Sequence, residues 1–134
     1  MSNLKRILFV CVENAGRSQM AEGFFQKYAP EGYEAISAGN KPAQEINPIT
    51  VEVMKEVGID LSKQKPRVLT SEIISDSFKN VNMGCMDKVE CPIVFLVNSV
   101  DWNIEDPKGK PIEKVRQIRD EIEQKVKKLC KNLE

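Results

Sequence analysis

The chain has 134 residues, 41% hydrophobic and 30% charged, with 20 lysines and arginines balancing 20 aspartates and glutamates. That length buries one sizeable core and leaves little room for a second, so a single domain over residues 1–134 is expected. The even charge argues against the basic face of a nucleic-acid binder and no apolar run approaches membrane-spanning length, which leaves small solutes as the expected targets.

Residues Leu4 to Val10 are apolar and β-branched, the pattern of a buried strand that ends at Cys11. The apolar stretch Ile7 to Val12 is too short for a signal-peptide core and has no small-residue cleavage site, so a cytoplasmic protein, taken as a monomer, is expected. From Ser18 onward Met20, Ala21, Phe24, Phe25 and Tyr28 recur at helical spacing until Pro30 and Gly32 stop them. The intervening CVENAGR is therefore a strand-to-helix loop. A short strand follows at Glu34 to Ala38, then a punctuated helix with Asn47 as cap, Pro48 in first position, Ile49, Val53 and Val57 on one face, and Gly58 past its end. Thr70 to Phe78 reads as a weaker helix, Asn80 to Met83 as a short strand and Ile93 to Val97 as a buried strand. After the loop NSVDWNIEDPKGKP, a long helix carries Ile112, Val115, Ile118, Ile122, Val126 and Leu129 on one stripe, with Glu121–Lys125 and Glu123–Lys127 pairs on its wet side. Alternating strands and helices predict an α/β fold, a four-stranded parallel sheet flanked by helices on both faces. Ligands of such sheets bind beyond the carboxyl ends of the strands, where Cys11 stands.

The loop after the first strand carries the chemistry. Its amides, at the positive end of a helix dipole, converge on a point suited to an oxyanion, and Val12, Glu13, Asn14, Ala15, Gly16, Arg17 and Ser18 are the expected binding residues. Gly16 permits close approach, Asn14 tolerates a left-handed conformation, and Arg17 offers a bidentate fork; Glu13 adds negative charge to the same loop. The chain contains no histidine, so no Cys–His dyad exists. A helix N-terminus beside a cation lowers a thiol pKa from about 8.5 toward roughly 3.5–7.5, so Cys11 can be a thiolate without one, and Ser18 can donate to its sulfur. Asp106, held extended before Pro107, is the candidate general acid. The other cysteines, Cys85, Cys91 and Cys130, are expected to be reduced; Cys130 sits in a charged, frayed C-terminus and reads as incidental. No closed zinc site, no metal and no cofactor are expected.

VCVENAGRS near the N-terminus and EDP in the late loop resemble the low-molecular-weight tyrosine phosphatase family nearly end to end. Within it, MGCMDKVECP and the Trp102 to Pro107 loop are similar to the thioredoxin-coupled arsenate reductases. The resemblance implies Cys11 as nucleophile, Arg17 and the loop amides as oxyanion binders, Asp106 as acid, and Cys85 and Cys91 as a redox pair reset by thioredoxin. Some relatives bind potassium through Asn, Glu and Ser side chains that match Asn14, Glu22 and Ser37; no ion is expected here. Two other functions fit the same residues. One is a phosphatase working through a Cys11 phosphoenzyme, and the other is an anion-binding or redox-sensing module, against which Asp106 argues because binding alone needs no acid.

Overall fold

The computed structural model describes residues 4–84 and 99–133. The elements run β1 (Lys5–Cys11), α1 (Arg17–Tyr28), β2 (Tyr33–Gly39), α2 (Pro48–Lys55), α3 (Ser71–Ser75), β3 (Lys79–Asn82), β4 (Ser99–Asp101) and α4 (Ile112–Leu133). The four strands form one sheet in the order β2-β1-β3-β4, every pair parallel, with Cys11 opposite Gly39 at the end of the β1–β2 ladder. The expected strand at Ile93 to Val97, and Cys85 and Cys91, lie outside the described residues.

β1 is apolar at every position from Ile7 because it is buried on both faces. Ile7, Phe9 and Cys11 join the main core with Phe24 of α1 and Ile118 and Ile122 of α4. Leu8 and Val10 point the other way, into a smaller cluster with Ile36, Ala38 and Ile74 of α3. The helices therefore cover both sides, and the larger core lies under α1 and α4.

Local chemistry sets the element ends. The Asn47 side chain accepts from the Ile49 N–H at 3.0 Å and Pro48 opens α2, while Gly58 takes a left-handed φ of 83° beyond its end. Ile49 itself is 38% exposed; Thr50, Val53 and Met54 form the buried face, because the capped first turn leaves Ile49 toward solvent. α3 is shorter than its periodicity suggests, since the Phe78 N–H bonds Arg6 O at 2.7 Å and draws the chain into the sheet. Of the two wet-side pairs on α4, Lys127–Glu123 is seen at 3.9 Å.

The expectation for Cys130 is corrected. α4 continues to Leu133, so Cys130 falls on its apolar stripe beside Leu129 and Val126, 3% exposed, and packs as a small hydrophobe in the main core. Arg119, 9% exposed, ties the same helix to α2 through bonds to Val53 O at 2.9 Å and Glu56 at 2.8 Å.

Candidate active site

The loop between β1 and α1 is held from outside by the segment after β2. The carbonyls of Val12, Glu13 and Ala15 accept from the N–H groups of Lys41, Ala43 and Asn47 at 2.9, 2.9 and 3.0 Å. A trans peptide points its C=O and N–H in opposite directions, so these bonds turn the following amides to the inner side of the loop. No side chain caps α1, whose N-cap is Gly16, so its first amides also remain available. This close seating needs Gly39. A Cβ there would fall against Val12 O, 2.8 Å from Cys11 O and 2.9 Å from Asn14 N, all of them main-chain atoms. Gly39→Ala is therefore expected to cost about 1–3 kcal/mol in urea unfolding and to weaken phosphate binding. Unchanged values for both would show that the loop is not built on that contact.

Asn14 and Ser18 support the loop from beneath and do not line the cavity, although both were expected among the binding residues. Each is fully buried, and Asn14 holds a left-handed φ of 53°. The Asn14 Oδ1 accepts from Arg67 N at 2.8 Å and Gln19 Nε2 at 3.1 Å, which fixes the amide so that its Nδ2 donates to Ser18 Oγ at 2.7 Å. The Ser18 proton is then free to donate to Cys11 Sγ, 2.8 Å away, an arrangement that favours the thiolate. The Asn14 side chain is thereby committed within the protein. Glu22 and Ser37 do meet, at 2.5 Å, and burial raises the Glu22 pKa against the lowering effects of Ser37 and Arg67.

Arg17 is 7% exposed and reaches across to the late loop, where Nη1 donates to Ile104 O at 2.7 Å and Nη2 lies 3.7 Å from Asp106 Oδ2. That loop is pinned in turn. The Ile104 N–H bonds Met83 O at 2.8 Å, and the Trp102 ring packs on Phe9 with centroids 5.7 Å apart. The Asp106 side chain is 60% exposed, and its Oδ1 accepts from the Lys108 N–H at 2.9 Å. Cys11, Glu13, Arg17, Gly84, Asp106 and Lys108 thus line one cavity of about 920 Å³. Sequence reasoning missed Gln19, Arg67 and the Glu13–Lys108 ion pair of 3.0 Å, none of which has a local sequence pattern. Among the described residues, no group of three or more His, Cys, Asp and Glu side chains is placed to hold a metal ion, and no helix is long and apolar enough to cross a membrane.

The parallel α/β sheet thus places a buried thiol, a loop whose carbonyls bond outward, an arginine and a carboxylate around one cavity. Residues 6–134 match the family described as low molecular weight phosphotyrosine protein phosphatase, and the chain belongs to it. An arsenate reductase of Brevibacillus brevis is 39% identical over 131 residues, 97% of each chain. The thioredoxin-dependent arsenate reductase of Corynebacterium glutamicum is 36% identical with a TM-score of 0.81, the match covering 98% of this chain and 62%, less than two thirds, of that one. An arginine phosphatase from Geobacillus stearothermophilus is 30% identical with a TM-score of 0.83, over 96% of this chain and 92% of its own.

Proposed function

We propose that this chain, one domain over residues 1–134 acting as a cytoplasmic monomer, reduces arsenate to arsenite through three cysteines and is reset by thioredoxin. The observation that carries the reading is the meeting of Cys11, Arg17 and Asp106 at one cavity. The Cys11 thiolate attacks arsenic in an arsenate held by Arg17 and the loop amides, an As–S bond forms, and Asp106 protonates the departing oxygen, which leaves as water. Cys85 then attacks Cys11 Sγ. The As–S electron pair leaves with arsenic, which departs as arsenite, and the two sulfurs are oxidised to a disulfide. Cys91 attacks Cys85, freeing Cys11, and the Cys85–Cys91 disulfide takes two electrons from a thioredoxin dithiol. Cys85 directly follows Gly84, which lines the cavity, and this supports its place as the second sulfur.

The test is arsenate reduction coupled to thioredoxin, thioredoxin reductase and NADPH. Cys85→Ser is expected to fail at turnover, and Cys91→Ser to form about one arsenite per enzyme and trap a Cys11–Cys85 disulfide found by mass spectrometry. Wild-type rates of arsenate reduction in both variants would overturn the three-cysteine relay. Asp106→Asn is expected to slow the first chemical step by about 10²–10⁴ while phosphate still binds. A variant that loses phosphate binding but not the rate of bound substrate would make Asp106 structural.

A further inference from the structure

Glu13 is out of place electrostatically, because it sets a carboxylate in a loop that gathers anions. Its charge is answered from the far end of the chain. Lys108 Nζ lies 3.2 Å from Glu13 Oε1 and 3.0 Å from Oε2, across 95 positions of sequence. The same residue's main-chain N–H holds Asp106 Oδ1 at 2.9 Å. Lys108 therefore fixes the candidate acid with its backbone and grips the anion loop with its side chain, and all three residues line the one cavity. Their side chains are partly exposed, 64% for Lys108 and 42% for Glu13, so the ion pair gives little global stability and its effect is confined to the site.

We propose that Glu13 and Lys108 are positioning residues, a latch that holds the Asp106 loop against the anion loop and cancels the Glu13 charge before an oxyanion enters. The latch rests on the oxyanion-site reading above and extends it to residues that do not react. Its signature is a split between affinity and rate. Removing the lysine leaves Glu13 to repel the anion, and removing the glutamate leaves Lys108 to attract it, yet either change removes the side-chain tie between the acid loop and the anion loop.

The experiment is calorimetry with inorganic phosphate at low ionic strength on Lys108→Gln, Glu13→Gln and the exchanged pair Glu13→Lys/Lys108→Glu, with single-turnover arsenite formation at saturating arsenate on the same proteins. The phosphate Kd is expected to rise about threefold in Lys108→Gln, to fall by about the same factor in Glu13→Gln, and to return to within about twofold in the exchanged pair. Arsenite formation is expected to slow by about 3–10-fold in both single variants and to recover in the exchanged pair. Phosphate affinities that are unchanged or shift in the same direction overturn the latch, as does an exchanged pair no faster than the singles. A wild-type protein that binds phosphate but forms no arsenite overturns the reductase reading, and the phosphate affinities then decide the latch by themselves.

Discussion

Cys11→Ser is expected to reduce arsenate turnover by at least about 10⁴-fold while the fold and phosphate binding survive. Cys11 is 3% exposed and its sulfur lies 2.8 Å from Ser18 Oγ at the mouth of α1, where a hydroxyl donor and the helix N-terminus would stabilise an anion. A serine hydroxyl does not ionise there at neutral pH, and it cannot form the disulfide that carries electrons out of the arsenic adduct. The anion cradle is otherwise made of main-chain amides and Arg17, which the substitution leaves in place. Calorimetry with phosphate should therefore return a Kd close to wild type, and near-UV circular dichroism should be unchanged. Retained arsenite formation would remove Cys11 from the nucleophile's role.

Arg17→Lys is expected to lower kcat/KM for arsenate by about 10²–10³, the scale of removing a preorganised donor from an oxyanion. The guanidinium does two things at once, since Nη1 holds Ile104 O at 2.7 Å while the rest of the fork faces the cavity beside Asp106. An ammonium offers one point charge and cannot satisfy the Ile104 carbonyl and a tetrahedral anion with the same planar geometry. The loss should fall on both phosphate affinity and rate, because the Asp106 loop loses its tie to α1. A variant with near-normal kcat/KM would leave the loop amides as sufficient binders.

The fold was legible where one residue pattern has one outcome. The unbroken apolar run of β1 belongs to a strand covered on both faces, Asn47-Pro48 opens a helix, and the stripe from Val115 to Leu129 lies against the main core. Legibility failed where tertiary packing decides. Charged neighbours made Cys130 look frayed, but the stripe of α4 carries it into the core. Cys11, Arg17 and Asp106 stood out in the sequence because each has a chemical reason for its neighbours, and the fold brings the three to one cavity. The side chains of Asn14 and Ser18 turn inward rather than to the cavity, which a loop read in one dimension does not reveal, and their support of Cys11 depends on Arg67 arriving from 53 positions away. The Glu13–Lys108 pair spans more of the chain still, and only folding makes those two residues neighbours.

The anion loop is held by distant parts of the chain as well as by its own neighbours. Arg17 is bonded to Ile104 across 87 positions and Asn14 to Arg67 across 53, so the receiving surface exists only when the whole chain is folded. An oxyanion that binds the folded chain and not the unfolded one raises stability by mass action, about 2.7 kcal/mol at a hundredfold excess over its Kd. The melting temperature then belongs to the protein and its buffer together. In phosphate, a variant that spoils the cradle loses this increment and melts early even where its packing is intact; in a buffer without oxyanions the same variant melts beside the wild type. The difference between the two melting curves measures the integrity of the cradle without any turnover.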